Sequence, residues 1–267
     1  MEFIVKDEVD QAEEFFYDSD LLGTEYMQRY REGYYRCREV GFRRLNPYRN
    51  YLSILNYFNQ IKEYDKNHAA SFSKRIKAQQ KNWKECESII SEVIVYHSYI
   101  PLIYEGLVRS ISIEANECDV IVERCNGSKY YLEVFCIMPN FRTNKYGTID
   151  IQTHTQEAFS SVRQKLLRKA QKQRQFSKNR ENLAVIELNH SQIAFDFIVL
   201  SSLSNGYKIN IDLRTMKAVS EGYDWEHSVF ESNETKFLKG VIWFHLGDYQ
   251  YRKFLLNPYY EKSVSSQ

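Results

Sequence analysis

Apolar residues in the first eighty positions recur at steps of three and four. Phe15, Phe16, Tyr26, Tyr30, Tyr34 and Tyr35 form one series and Leu52, Leu55, Phe58 and Ile61 another, so the region reads as amphipathic helices. Gly41 and Asn46-Pro47 punctuate it. From Trp83 a longer stripe runs through Cys86, Ile89, Ile90, Val93 and Ile94, predicting a helix to about Tyr99 that Pro101 and Gly106 then break or kink. At Val108 the period becomes two, with Ile111 and Ile113 alternating with Ser110 and Ser112. Two β-rich runs, DVIVER (119–124) and YYLEVFCIM (130–138), then flank Asn126-Gly127, which predicts a hairpin. Residues 139–155 read as loop. Residues 156–178 read as a helix with Phe159, Val162, Leu166 and Ala170 on one stripe, followed by strands at 183–188, 193–200 and 241–246. This order predicts an α/β fold, a three-layer α-β-α sandwich around a mixed central sheet over residues 81–267, behind an N-terminal helical region at 1–80.

Composition narrows the function classes. An apolar share of 43% and an aromatic share of 15% argue against disorder, and ten Gly with four Pro exclude collagen-like chains. A net charge of +1 removes any global electrostatic case for nucleic acid or membrane, so only local patches can speak. Two such patches exist. Residues 29–44 carry six Arg against two Glu, interleaved with three Tyr, which suits either a solvated helix surface or a nucleic-acid face. Residues 142–180 carry ten basic residues against two acidic ones, a stripe that would neutralise phosphates. The acidic start MEFIVKDEVDQAEEFF is unlike a signal peptide, and the apolar stretch 93–108 is too interrupted to span a membrane. Five Cys without a CxxC pair suggest a reducing, cytoplasmic setting. Nucleotide-loop, zincin and serine-hydrolase motifs are absent, the six His are scattered, and Cys118 with Cys136 lacks the second close pair that a zinc site needs.

The chemically informative residue is Glu133, the one charged position in YYLEVFCIM. Period two puts it on a face with Tyr131, Phe135 and Ile137, with Leu132, Val134 and Cys136 on the other. A strand apolar on both faces reads as central and covered on both sides, where an ionised carboxylate costs several kcal/mol unless paired, hydrogen-bonded or metal-bound. The plainer alternatives are an edge strand or an ion pair with Arg or Lys. Asp119 begins the preceding strand, so the hairpin brings it near Glu133. Two carboxylates converging at one strand end suit Mg²⁺ or Mn²⁺.

This arrangement resembles the PD-(D/E)XK nuclease superfamily, in which a helix with an acidic residue precedes a strand with Asp, a hairpin, a strand reading (D/E)-x-K, and a helix with Lys or Gln. Here the pattern reads as Glu92 (or Glu87), Asp119, then Glu133-Val134-Phe135, then SSVRQKLLRKAQKQRQF. The resemblance covers roughly residues 83–258. It implies a restriction-endonuclease-like fold, Glu92, Asp119 and Glu133 as Mg²⁺ ligands, and metal-dependent phosphodiester hydrolysis, with DNA preferred over RNA. Phe135 stands where the motif lysine belongs and can neither carry charge nor donate a hydrogen bond. On the helix that follows, Lys169 flanks the apolar stripe and is the candidate replacement, Gln173 lies within the stripe, and Lys165 is farther out. Arg163, Lys165, Arg168 and Lys172 are the candidate nucleic-acid contacts. The alternative is a catalytically inactive relative that binds nucleic acid or a protein.

Overall fold

The computed structural model describes residues 7–39, 46–114, 118–137, 141–143, 149–151, 163–168, 176–177, 179–189, 195–223, 228–231 and 235–260. The N-terminal region is helical, with α1 (Glu8–Glu14), α2 (Ser19–Leu22), α3 (Glu25–Glu39), α4 (Tyr51–Tyr64) and α5 (Lys66–Gln79). Asp7, Asp18, Asn50 and Asp65 accept first-turn amides of α1, α2, α4 and α5, so those helices start where short polar side chains can satisfy the open donors.

Helix α6 (Trp83–Tyr104) passes Pro101 instead of stopping before it. Proline removes one amide donor, but Ile100, Leu102 and Ile103 still pack against the core and hold the last turn. The helix ends at Gly106 (φ +72°), where the amides of Gly106 and Leu107 return to the carbonyls of Ile103 and Leu102.

Strands β1 (Val108–Glu114), β2 (Cys118–Arg124) and β3 (Lys129–Ile137) form an antiparallel meander. Its second turn is the expected Asn126-Gly127, with Gly127 at φ +81° and the Asn126 side chain accepting from Ser128. Two short strands, β4 (Phe141–Thr143) and β5 (Ile149–Ile151), pair within the segment expected to be loop. Residues 163–168 form the described part of the basic helix, α7. Strand β6 (Glu181–Leu188) runs parallel to β3. Helix α8 (Phe197–Asn205) follows where a strand was expected over 193–200. Its short apolar run fits either period, and the bond from the Leu200 amide to the Asp196 carbonyl selects the helix. The hairpin β7 (Tyr207–Asp212) and β8 (Lys217–Tyr223) stands apart from the main sheet. Strand β9 (Leu238–His245) then pairs parallel to β6, and β10 (Asp248–Leu256) closes the edge.

The result is an α/β fold with a mixed six-stranded sheet in the order β1-β2-β3-β6-β9-β10. Alternation along β3 and β6 serves two cores. Leu132, Val134, Leu183 and Val185 join α1–α6 on one face. Phe135, Ile137, Ala184 and Ile186 join Leu166, Leu200 and Phe230 on the other. Strand β3 is therefore internal and covered on both sides, which removes the edge-strand explanation for Glu133.

Candidate functional site

The hairpin brings Asp119 and Glu133 together as its turn chemistry requires. Val120 pairs with Leu132, so the register carried one step further sets Asp119 opposite Glu133. Here β2 parts from β3, and Asp119 Oδ2 takes the place of a backbone acceptor for the Val134 amide at 2.8 Å. Glu133 is 1% exposed and lies on the face of Phe135 and Ile137. The neighbouring Cys118 thiol has its pKa pushed well up by burial, with Asp119 and Glu133 adding to the shift and Arg180 opposing it.

Glu92 is also buried, on the α6 face of the sheet, and it spends both carboxylate oxygens on Arg75 of α5. The Arg75 Nη2 bond to Glu92 Oε1 is 2.7 Å, and Nη1 bonds the other oxygen. Burial works against the Arg75 charge, but this fork–fork pairing and the nearby Asp119 charge hold its pKa above the usual guanidinium value. Among the described residues, no three His, Cys, Asp or Glu side chains gather into a group that could hold a metal ion. Arg75 was missed in the sequence because it lies one helix upstream of the motif, in a stretch with no strand or turn signal.

Of the basic candidates, Lys165 reaches the motif strand. Its Nζ donates to the Cys136 carbonyl at 2.9 Å and lies 5.8 Å from the centre of the Phe135 ring, so an amine does stand over the position where the motif lysine is missing. Arg163 and Arg168 lie on the same described turn, around the buried Leu166. Lys169, Gln173 and Lys172 lie outside the described residues. The arginines of α3 pair locally, Arg29 with Glu25, Arg31 with Glu13, Arg36 with Glu32 and Arg38 with Asp7, which makes that region a compensated helix surface.

A second acidic cluster, unpredicted as a unit, lies fully inside. Arg49 enters the core from the Asn46-Pro47 segment and bonds Glu87 Oε2 of α6 and Glu187 Oε2 of β6, each at 2.5 Å, and also the Glu87 carbonyl at 2.9 Å. Tyr26 and Tyr30 each donate to Glu87 Oε1 at 2.8 Å, Asn189 donates to Glu87 Oε2 at 2.7 Å, and Ser91 donates to Glu187. Burial opposes the Arg49 charge, but Glu187 and Glu87 hold its pKa well above the ordinary value. Burial raises the Glu187 carboxyl, with Arg49 pulling the other way. The Asn46 side-chain amide bonds the Leu246 carbonyl at 2.6 Å, and Gly247 (φ +83°) packs so closely that an added Cβ would lie 3.0 Å from the Tyr48 carbonyl oxygen. Glu87, weighed beside Glu92 as the helix acid, thus serves this inner network instead.

None of the protein-family models, curated proteins or solved structures compared with the chain matches it. Among the described residues, no helix is long and apolar enough to cross a membrane.

Proposed function

We propose that the chain is a non-cleaving relative of the PD-(D/E)XK nucleases that binds nucleic acid, DNA in preference to RNA. The observation that carries this reading is the Arg75 guanidinium, which takes both Glu92 oxygens and lies close enough to Asp119 to feel its charge. A fixed organic cation there occupies Glu92, which is then not an open ligand for a metal ion that activates water. The meander β1–β3 followed by a helical segment and the parallel strand β6 supports the nuclease-like architecture. Nucleic acid rests on the ten basic residues against two acidic ones over residues 142–180.

The runner-up is a Mg²⁺-dependent nuclease in which Lys165 supplies the amine that Phe135 lacks, and the position of its Nζ favours it. One experiment separates the two. Fluorescently labelled DNA is titrated with the protein in EDTA, then incubated with Mn²⁺ and run on a denaturing gel. Our reading expects binding in EDTA and intact DNA. Cleavage that needs Mn²⁺ and is lost in Glu133→Gln would overturn it in favour of the nuclease.

A further inference from the structure

The strands carry charge according to the end of the sheet at which a residue sits. At the end where β3, β6 and β9 begin and β2 finishes stand Arg109, Arg124, Lys129, Arg180, Lys236 and Lys239, against Glu123 and Glu181. At the opposite end stand Asp119 and Asp248, with Glu187 buried against Arg49 and Lys165 bonding the Cys136 carbonyl. A polyanion meeting this sheet is drawn to the first end, where the basic residues outnumber the acids.

That basic end is also aromatic. The Arg180 guanidinium lies 4.7 Å from the centre of the Tyr131 ring and Lys239 Nζ lies 4.8 Å from that of Tyr130, while Arg124 Nη1 reaches the Tyr130 hydroxyl at 3.5 Å. Tyr130 and Tyr131 lie on opposite faces of β3, Tyr130 against the core under the helices, and both are half-buried at the strand's start, while Arg124 and Lys129 are exposed. The two acids are already shared, Glu181 with Lys239 at 2.8 Å and Glu123 with Arg109 at 3.2 Å, so they soften the basic excess without reversing it. Adjacent strands lie about 4.8 Å apart, so the row from β2 to β9 spans roughly 14 Å, room for a few nucleotides.

We infer that this strand-end row, Arg124, Tyr130, Tyr131, Arg180, Lys236 and Lys239, is the track for a single-stranded nucleic acid. Cations set beside ring faces suit a chain that alternates phosphates with unpaired bases, because bases stack on rings and guanidinium planes that a duplex cannot reach. The inference rests on the nucleic-acid reading above and narrows it to one strandedness and one edge.

The test is fluorescence anisotropy with a labelled 20-nucleotide oligothymidylate and a duplex of equal length, in EDTA, over a salt series. The wild type is compared with Arg124→Glu/Lys236→Glu and with Tyr131→Leu, each checked for folding by circular dichroism. The single strand is expected to bind at least tenfold tighter than the duplex. The charge reversal should cost at least tenfold and lower the salt slope by about two. Because the charge reversal lies on side chains outside the core, it keeps the test alive if Tyr131→Leu fails to fold. Wild-type affinity in the charge-reversed variant, or equal affinity for the duplex, overturns the track while leaving nucleic-acid binding intact. No binding to either probe by the wild type overturns the broader reading as well.

Discussion

Two arginines from the N-terminal helical region each meet acidic residues of the α/β core, and they do so in different surroundings. Arg49 is 2% exposed and bridges Glu87 and Glu187 with tyrosines, a serine and an asparagine completing the shell. The Arg75 side chain is 37% exposed and, among the described residues, pairs with Glu92 of α6 alone. The first arrangement ties three segments of the fold into one core. The second holds one buried carboxylate, with Asp119 near enough to add to the field on the guanidinium. The same pairing chemistry thus serves cohesion in one place and neutralisation of a single carboxylate in the other, and depth decides which.

The largest effect should come from the inner arginine. Arg49→Leu leaves Glu87 and Glu187 buried without their cation, and urea unfolding should show a loss of about 3–5 kcal/mol. Adding Glu187→Gln should recover part of it, because one buried charge disappears. Full additivity of the two losses would break the claim that Arg49 and Glu187 act as a unit.

Gly247→Ala attacks the same network from the sheet without touching a charge. At φ +83°, with its new Cβ against the Tyr48 carbonyl, alanine should cost about 1–3 kcal/mol, read from the shift in urea midpoint. Arg75→Gln should cost less than Arg49→Leu, about 1–2 kcal/mol, because water can partly replace a side chain that is more than a third exposed. Equal losses at the two arginines would erase the distinction between them.

The smallest effect is a pH dependence confined to the inner cluster. Burial raises the folded-state pKa of Glu187 above 4.5, so its contribution to stability is full below 4.5 and is lost as pH rises through the raised value. Stability of Glu187→Gln relative to the wild type should therefore improve from pH 4.5 toward neutrality, measured by denaturant titration at each pH. A constant difference would show that Glu187 is ionised in the folded state as readily as in the unfolded one.

The central hairpin is legible in the sequence because its signals are local. Asn126-Gly127 marks the turn, and period two along YYLEVFCIM puts Glu133 on the face of Phe135 and Ile137, in keeping with how the neighbouring residues divide between the two cores. What stays hidden depends on long-range partners. Nothing near Arg49 in sequence announces Glu187, 138 residues away, and nothing near Arg75 announces Glu92 on the next helix. The segment 197–205 is misread for a different reason, since a short apolar run fits either period and its neighbours decide. Pro101 does not end the helix, because packing beyond it outweighs one missing hydrogen bond.

We propose that Arg75 holds Glu92 on the α6 side of the sheet, so that Glu92 does not join Asp119 and Glu133 in binding a divalent ion. Isothermal calorimetry of Mn²⁺ into the wild-type protein tests it most directly. No saturable heat is expected at millimolar Mn²⁺. One-to-one binding that Glu133→Gln abolishes would contradict it and return the cluster to the metal-dependent nucleases.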